Sequence, residues 1–466
     1  MQPLYPRVRF YFSCSCSRPF STRSLTFWPP RGPIFALTPG PSASASRSQR
    51  ARSLAASACY VVPVTLTTAL HNSFAPALDW YLMPEAFSAG LVEQAMARYG
   101  LGPGDTILDP FSGTGTTVLA AKLAGLNGLG LEANPFLAWA AGVKLGVEVS
   151  PLAFGAAAQR VAARIGELAD APAVPLPDMP RIAKWMTPVV AYKIMALKAA
   201  ILEEEAGPER ELLLLALAAI LRPAGNLKLT AHAFGSVERK DDAPVGPMFT
   251  RKTAKILADL QAIQASGLGC LGRAEVVHAD SRDLGGLSHS LLPAQLAITS
   301  PPYLNNLDYT MQTRLELFFL DHVRGLADVK AIRKGMVICD AKAMYRDIAD
   351  HQRVEGFQSI QAIAEAIAVR HAGKNWGWDY PFMTRQYFGG LHRVLEGARN
   401  ALAPGARFIL VVGESSHSGV KVPVPEILGE MGEQLGYHLE AIEIHRLRRS
   451  SSHRHELAES SVILRV

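Results

Sequence analysis

The sequence predicts a doubly wound α/β sheet of seven mostly parallel strands, with helical insertions and an antiparallel hairpin at its C-terminal end. Two observations carry this. From 105 to 132 the chain reads strand, glycine-rich turn, helix and second strand, a βαβ unit that implies parallel strands and right-handed crossovers. Strand-like runs then return at 274–280, 294–300, 407–413, 437–445 and 460–466, with helices between the first five of the seven strands and a hairpin at the end.

The elements follow in order. Residues 85–100, EAFSAGLVEQAMARYG, have helical spacing and stop on glycine. The run at 105–108 is the first strand, and GLGLE at 128–132 is the second. A long helical stretch fills the chain to about 268 and includes RELLLLALAAIL and TRKTAKILADLQAI. A second helical insert spans about 311–403. The last two strands are expected to form a hairpin across the loop RLRRSSSHRHELAE. This predicts a sheet domain at 61–145 and 269–466, interrupted by a helical insertion at 146–268.

The leader, residues 1–60, stands apart. Residues 1–78 hold eight arginines, no lysine and no acid. Removing those eight from 47 basic residues leaves 39 against 41 acidic, a net of −2, so the formal +6 belongs to the leader and is no argument for nucleic-acid binding. Its Arg/Ser-rich, acid-free composition reads as an organellar transit peptide, or else as a mis-assigned start. Disorder is expected there. The corresponding locations are an organelle or, for a bacterial protein, the cytoplasm near the nucleoid. No run of about 18 uncharged apolar residues predicts a membrane span. The five cysteines and the histidines show no metal-ligand spacing.

Two stretches carry chemistry. In DPFSGTGTT, Asp109 ends the first strand, and Gly113 and Gly115 allow a tight turn and close backbone approach to a ligand. The turn is neither GxGxxG nor a P-loop. Glu132, 23 residues on, ends the second strand, where an acid accepts from a ribose diol; Asp280, after the third, is placed to meet an adenine amino group. The other stretch is TSPPY, 299–303. Its two prolines halt the fourth strand and offer no N–H.

DPFSGTGTT followed by TSPPY resembles the S-adenosylmethionine-dependent amino-methyltransferases of DNA, and the upstream HNSFAPALDWYLMPEAF (71–87) is similar to the segment that covers the methionine end of their cofactor. The resemblance spans about residues 70–466. It implies a Rossmann-like class I methyltransferase fold, S-adenosylmethionine as methyl donor without a metal, and DNA as partner, with a restriction nuclease as a possible companion. It also implies a cofactor loop made of Asp109, Pro110, Phe111, Gly113, Gly115 and Thr116, with Glu132 and Asp280 completing the site.

The catalytic turn is then Ser300, Pro301, Pro302 and Tyr303. An exocyclic amine is a poor nucleophile because its lone pair is delocalised into the ring. Acceptors that hold both amino hydrogens, the Ser300 hydroxyl and the Pro301 carbonyl, localise the pair. Tyr303 is placed to stack on an extruded base. A leading serine in this motif accompanies cytosine N4; adenine N6, an RNA base and a glutamine side chain are the alternatives. The extension NNLDYTMQTRLELFF makes Asn305, Asp308, Tyr309 and Arg314 candidates for shaping the substrate pocket, with Leu315, Leu317 and Phe318 as core. The resemblance makes 61–145 and 269–466 the catalytic domain and the 146–268 insertion the first candidate for target recognition. Arg239, Lys240, Arg251, Lys252 and Lys255, the aromatics Trp376, Trp378 and Tyr380, and the basic run RLRRSSSHRH are candidates for contact with nucleic acid.

Overall fold

The computed structural model describes residues 66–165, 174–226, 240–266, 271–341, 345–373, 378–450 and 454–466, all within a unit that spans Ser57–Val466. The leader, Arg239 and Trp376 lie outside the described residues.

Among the described residues nine strands form: β1 (Thr106–Asp109), β2 (Asn127–Glu132), β3 (Ala274–His278), β4 (Ala294–Thr299), β5 (Leu402–Gly413), β6 (Ser415–His417), β7 (Val420–Val422), β8 (His438–Arg449) and β9 (Glu456–Arg465). Seven make one sheet in the order β3-β2-β1-β4-β5-β9-β8. It is parallel through β5, and β9 runs antiparallel to both β5 and β8. This is the Rossmann-like methyltransferase sheet with its C-terminal hairpin. β6 and β7 form a separate ribbon. The order reverses between β1 and β4, the place where doubly wound sheets bind ligands.

The helices are α1 (Ala89–Arg98), α2 (Thr116–Leu123), α3 (Pro135–Lys144), α4 (Pro151–Arg164), α5 (Ile182–Trp185), α6 (Pro188–Leu202), α7 (Pro208–Ala224), α8 (Val245–Ala265), α9 (Tyr309–Gln312), α10 (Arg314–Phe319), α11 (Leu326–Lys334), α12 (Gln358–His371), α13 (Tyr380–Ala401) and α14 (Val424–Gln434). Alternate strand residues face opposite layers, because strand side chains have period two. Ile107, Leu296, Ile298, Ile409 and Val411 join a core with α1, α2, α3 and the helices α4, α6, α7 and α8. Leu108, Ala297, Phe408, Leu410 and Val412 join the other, with α12, α13 and α14. The helices of the 146–268 stretch therefore share the core of the sheet.

Local chemistry sets the element ends near the cavity described below. Ser88 caps α1 by accepting from Gly90 N–H, a contact that contributes about 1 kcal/mol. Asn134 caps α3 through Phe136 and Leu137 N–H, and Pro135 opens that helix. Helical spacing at 85–100 predicted the helix too early: the proline of Met83–Pro84 and the Ser88 cap delay it to Ala89. The C-terminal loop is a larger correction. β8 and β9 run on through most of RLRRSSSHRHELAE, because Arg446–Glu459, Leu447–Ala458, Arg448–Leu457 and Arg449–Glu456 are ladder partners. As predicted, Leu315, Leu317 and Phe318 are core. Tyr380 is buried and stacks on His417 with centroids 4.8 Å apart, and Trp378 meets Tyr380 edge-on. These two aromatics belong to the second core.

Candidate active site

The carboxyl ends of β1, β2 and β4 open on one cavity of about 330 Å³, within the range of small-molecule sites. Of the sequence-predicted residues, Asp109, Phe111, Gly113, Thr116, Glu132, Asp280, Ser300, Pro301, Pro302, Tyr303, Asn305, Asp308 and Tyr309 line it. Pro110, Gly115 and Arg314 stand behind the wall. The Pro110 carbonyl accepts from the Ser281 hydroxyl. Gly115 carries the turn into α2 at φ 79°. Arg314, expected in the pocket, begins α10 instead, with its pKa lowered by burial and by the charge of Arg333.

The two motif loops are joined directly. The Thr299 hydroxyl donates to Asp109 Oδ1 at 2.5 Å, and Phe111 N–H reaches both Asp109 Oδ1 and Thr299 Oγ1 at 3.1 Å. Glu132 accepts from Gly113 N–H at 2.9 Å and from Asn134 N–H at 2.8 Å, one bond to each oxygen. Burial pushes the Asp109 carboxyl up to about 6 and the Glu132 carboxyl up to about 7, despite those hydrogen bonds. The Thr117 hydroxyl also faces Asp109, whereas Glu132 is held by backbone N–H groups alone. The Ser112 hydroxyl, also on the wall, is buried and has no hydrogen-bond partner among the described residues. Asp280 differs from expectation: both its oxygens are held by the Arg282 guanidinium, at 2.6–3.0 Å. It lines the cavity as half of an ion pair.

The turn after β4 is held from several sides. Tyr303 N–H donates to the Tyr309 hydroxyl at 3.2 Å, and Asn305 N–H to the Tyr303 carbonyl at 2.7 Å. The Leu304 carbonyl accepts from Ser415 and from His417 Nε2 of the small ribbon. Burial lowers the His417 pKa to about 4, so the imidazole is neutral. Asp308 caps α9 and pairs with Arg333; its carboxylate is structural as well as cavity-lining. The Tyr303 phenol donates to Glu459 Oε1 at 2.9 Å, beside the Ser300 side chain, and Glu459 pairs with Arg446. Burial, and then the Glu459 charge, raise the phenol pKa.

Sequence reasoning did not single out Glu459, Arg333 or the 335–340 stretch, which line the cavity. Glu85, also on the wall, lies in the 71–87 segment. The basic run was a second signal. Its Arg446 and Arg448 serve the cavity wall, where Arg446 binds Glu459 and Arg448 donates to the Glu414 carbonyl at 2.9 Å. The candidate phosphate ligands on the long helical stretch are also engaged. Lys240 donates to the Pro223 carbonyl, Lys252 to the Asp79 carbonyl, and Lys255 pairs with Asp259 and Asp79.

A family model described as DNA methylase matches residues 81–141, the stretch that holds α1, β1, the glycine turn, α2, β2 and most of α3. The Type II methyltransferase M.BsoBI of Geobacillus stearothermophilus is 47% identical over 57 residues, 12% of this chain and 11% of that protein. The Type II methyltransferase M.AvaI, from Nostoc sp. (strain PCC 7120 / SAG 25.82 / UTEX 2576) and from Anabaena variabilis, is 26% identical over 426 residues, 80% of this chain and 81% of its own length. These matches support a likeness to the DNA amino-methyltransferases, carried by the family model over residues 81–141. That likeness implies S-adenosylmethionine as the donor, and the cavity fits it: two buried carboxylates, a glycine turn and a Ser112 hydroxyl unpartnered among the described residues surround one space. Among the described residues no helix is long and apolar enough to cross a membrane.

The tie between the two loops can be cut with little change of shape. Thr299→Val keeps the volume and removes the donor to Asp109. The expected loss is about 1–3 kcal/mol of stability, with weaker binding of S-adenosylhomocysteine by roughly tenfold, read by urea unfolding and calorimetry. Unchanged values in both would show that the contact is dispensable.

Proposed function

We propose that the chain transfers a methyl group from S-adenosylmethionine to the exocyclic N4 of cytosine in DNA, as the modifying half of a restriction–modification pair. The observation that carries this reading is the contact of Thr299 with Asp109, which binds the Ser300–Tyr303 turn to the glycine loop around one cavity. In this reading Glu132 takes the ribose diol, Asp109, Phe111, Gly113 and Thr116 line the cofactor side, and Asp280 meets the adenine end as an Arg282-paired acid. The cofactor supplies a methyl group made electrophilic by its sulfonium.

Ser300 and the Pro301 carbonyl accept the two amino hydrogens, so the nitrogen lone pair turns towards the methyl donor. Tyr303 presents its ring to the extruded base, with its phenol held away by Glu459. Asn305, Asp308 and Tyr309 shape that side. The leading serine supports cytosine over adenine, and the family model, described as DNA methylase, supports DNA over RNA. The 146–268 stretch remains our candidate for target recognition; since Lys240, Lys252 and Lys255 are engaged within the fold, exposed Arg251 is the better candidate there for a phosphate contact.

The test is methyl transfer from labelled S-adenosylmethionine to unmethylated genomic DNA, with total RNA in parallel and product nucleosides identified by mass spectrometry. N4-methylcytosine is expected, and Ser300→Ala should slow transfer by about 10²-fold with cofactor affinity unchanged. N6-methyladenine or label in RNA would reassign the substrate.

A further inference from the structure

After residue 78 the chain is slightly acidic, so attraction to DNA has to come from local cations that no acid already holds. The cations on the cavity wall are engaged: Arg333 with Asp308, Arg446 with Glu459, and Arg448 with the Glu414 carbonyl. Arg370, in the last turn of α12, and Arg454, just ahead of β9, are different. Both are exposed, and among the described residues neither guanidinium has a hydrogen bond or an ion pair. They converge on one point. The β6–β7 ribbon turns through Ser418 and Gly419, at φ 50° and 81°, the two-residue turn that fits the twist of a hairpin. A Cβ on Gly419 would lie 3.2 Å from Arg454 Nη1 and 3.9 Å from Arg370 Nη1. The turn itself is gripped from both sides: His371 Nδ1 meets the Ser418 hydroxyl at 3.0 Å, and His455 Nε2 meets the Gly419 carbonyl at 3.1 Å.

Two guanidiniums that converge without an acid between them repel each other, and an anion set between them replaces that repulsion with charge-assisted hydrogen bonds. The guanidinium fork matches the oxygens of a phosphate. The position of the pair identifies the anion. β6, the first strand of the same ribbon, sends Ser415 Oγ and His417 Nε2 to the Leu304 carbonyl, one residue past Tyr303. From Ser415 to Gly419 the chain reaches about 14 Å at most. That is about four base pairs along a duplex, at one phosphate per strand for each. A DNA strand whose base enters the cavity carries phosphates at this distance on either side of it. We propose that Arg370 and Arg454 clamp a backbone phosphate of the target DNA close to the extruded base, with the β6–β7 ribbon fixing its distance from the Ser300–Tyr303 turn. This rests on the reading of that turn as the site that meets a DNA base.

The experiment measures binding of the full chain to an unmethylated DNA duplex of mixed sequence across a salt series, by fluorescence anisotropy. It compares the unaltered chain with Arg370→Gln, Arg454→Gln and the two combined. The combined variant is expected to bind roughly tenfold more weakly and to lower the slope of log K against log salt by about 1 or more, whatever the sequence. Melting temperature and S-adenosylhomocysteine affinity should not move, which reads misfolding separately. Arg370→Lys with Arg454→Lys keeps both charges and should keep the slope. An unchanged slope in the combined glutamine variant would overturn the proposal. So would an equal loss with lysine, which would mean that the ribbon had shifted rather than that a phosphate was released. Binding of inorganic phosphate in calorimetry with the DNA slope unmoved would make the pair a free-anion site and overturn it too. If the slope falls but the chain methylates no base in DNA, the phosphate contact stands and the transfer reading falls; if methylation proceeds and the slope is unmoved, the reverse holds.

Discussion

Arg282→Met is expected to lower unfolding free energy by about 3–5 kcal/mol, the largest stability loss among the substitutions considered. The Arg282 side chain is 4% exposed and Asp350, its partner at 2.7 Å, is 3% exposed. The same guanidinium holds Asp280 and donates to the Lys334 carbonyl. Burial works against its charge, yet the hydrogen bonds and charges of Asp280 and Asp350 hold its pKa above the ordinary value. Methionine fills the space but removes every donor. Asp350 then keeps Arg393 at 3.0 Å, while Asp280 loses the contact that aims it at the cavity wall. Breaking a buried pair from one side leaves an uncompensated charge, which is why the cost exceeds that of a surface pair. Urea unfolding should show a lower midpoint at unchanged slope, with cofactor affinity reduced as well. A shift below about 1 kcal/mol would mean that water replaces the guanidinium and that the pair is not structural.

That pair illustrates what the sequence can and cannot disclose. Asp280 was legible because it follows a strand, and strand ends in such sheets face the ligand. Its partner two residues on was also in view, but nothing local says that Asp350, 68 residues away, completes the contact. The same holds for Tyr303 and Glu459, 156 residues apart. The seven-stranded sheet was legible because β1, β2 and β4 are apolar runs that end in special turns. The extent of the last strands was not. Arg446, Arg448 and Arg449 read as part of a loop that meets nucleic acid, yet each has a ladder partner on β9. Charge is tolerated there because β8 is the edge strand, and Glu459 gives Arg446 a counter-charge. Likewise Lys252 and Lys255 read as phosphate ligands only while Asp79, far upstream, is out of sight.

Gly115→Val is expected to abolish cofactor binding, weakening S-adenosylhomocysteine by about 10³-fold or more. Two costs meet at this position. The backbone sits at φ 79°, where a β-branched residue is a rare outlier. A Cβ there would also lie 2.9 Å from the Ala141 Cβ of α3 and 3.4 Å from its Cα, so the obstacle includes backbone and cannot swing aside. Strain of about 1–2 kcal/mol and overpacking of about 1–3 kcal/mol fall on a turn whose N–H donates to Ser112 carbonyl and whose carbonyl opens α2. The chain relieves both by shifting the glycine turn, and that turn supplies the Gly113 N–H that holds Glu132. Gly113→Ala is the built-in comparison. Its φ of 54° is also left-handed, but a Cβ there meets nothing within 4 Å. Its loss should therefore stay near the conformational cost alone, about tenfold in affinity. If the two substitutions weaken binding equally, close packing against α3 is not what holds the loop, and backbone conformation is the whole requirement.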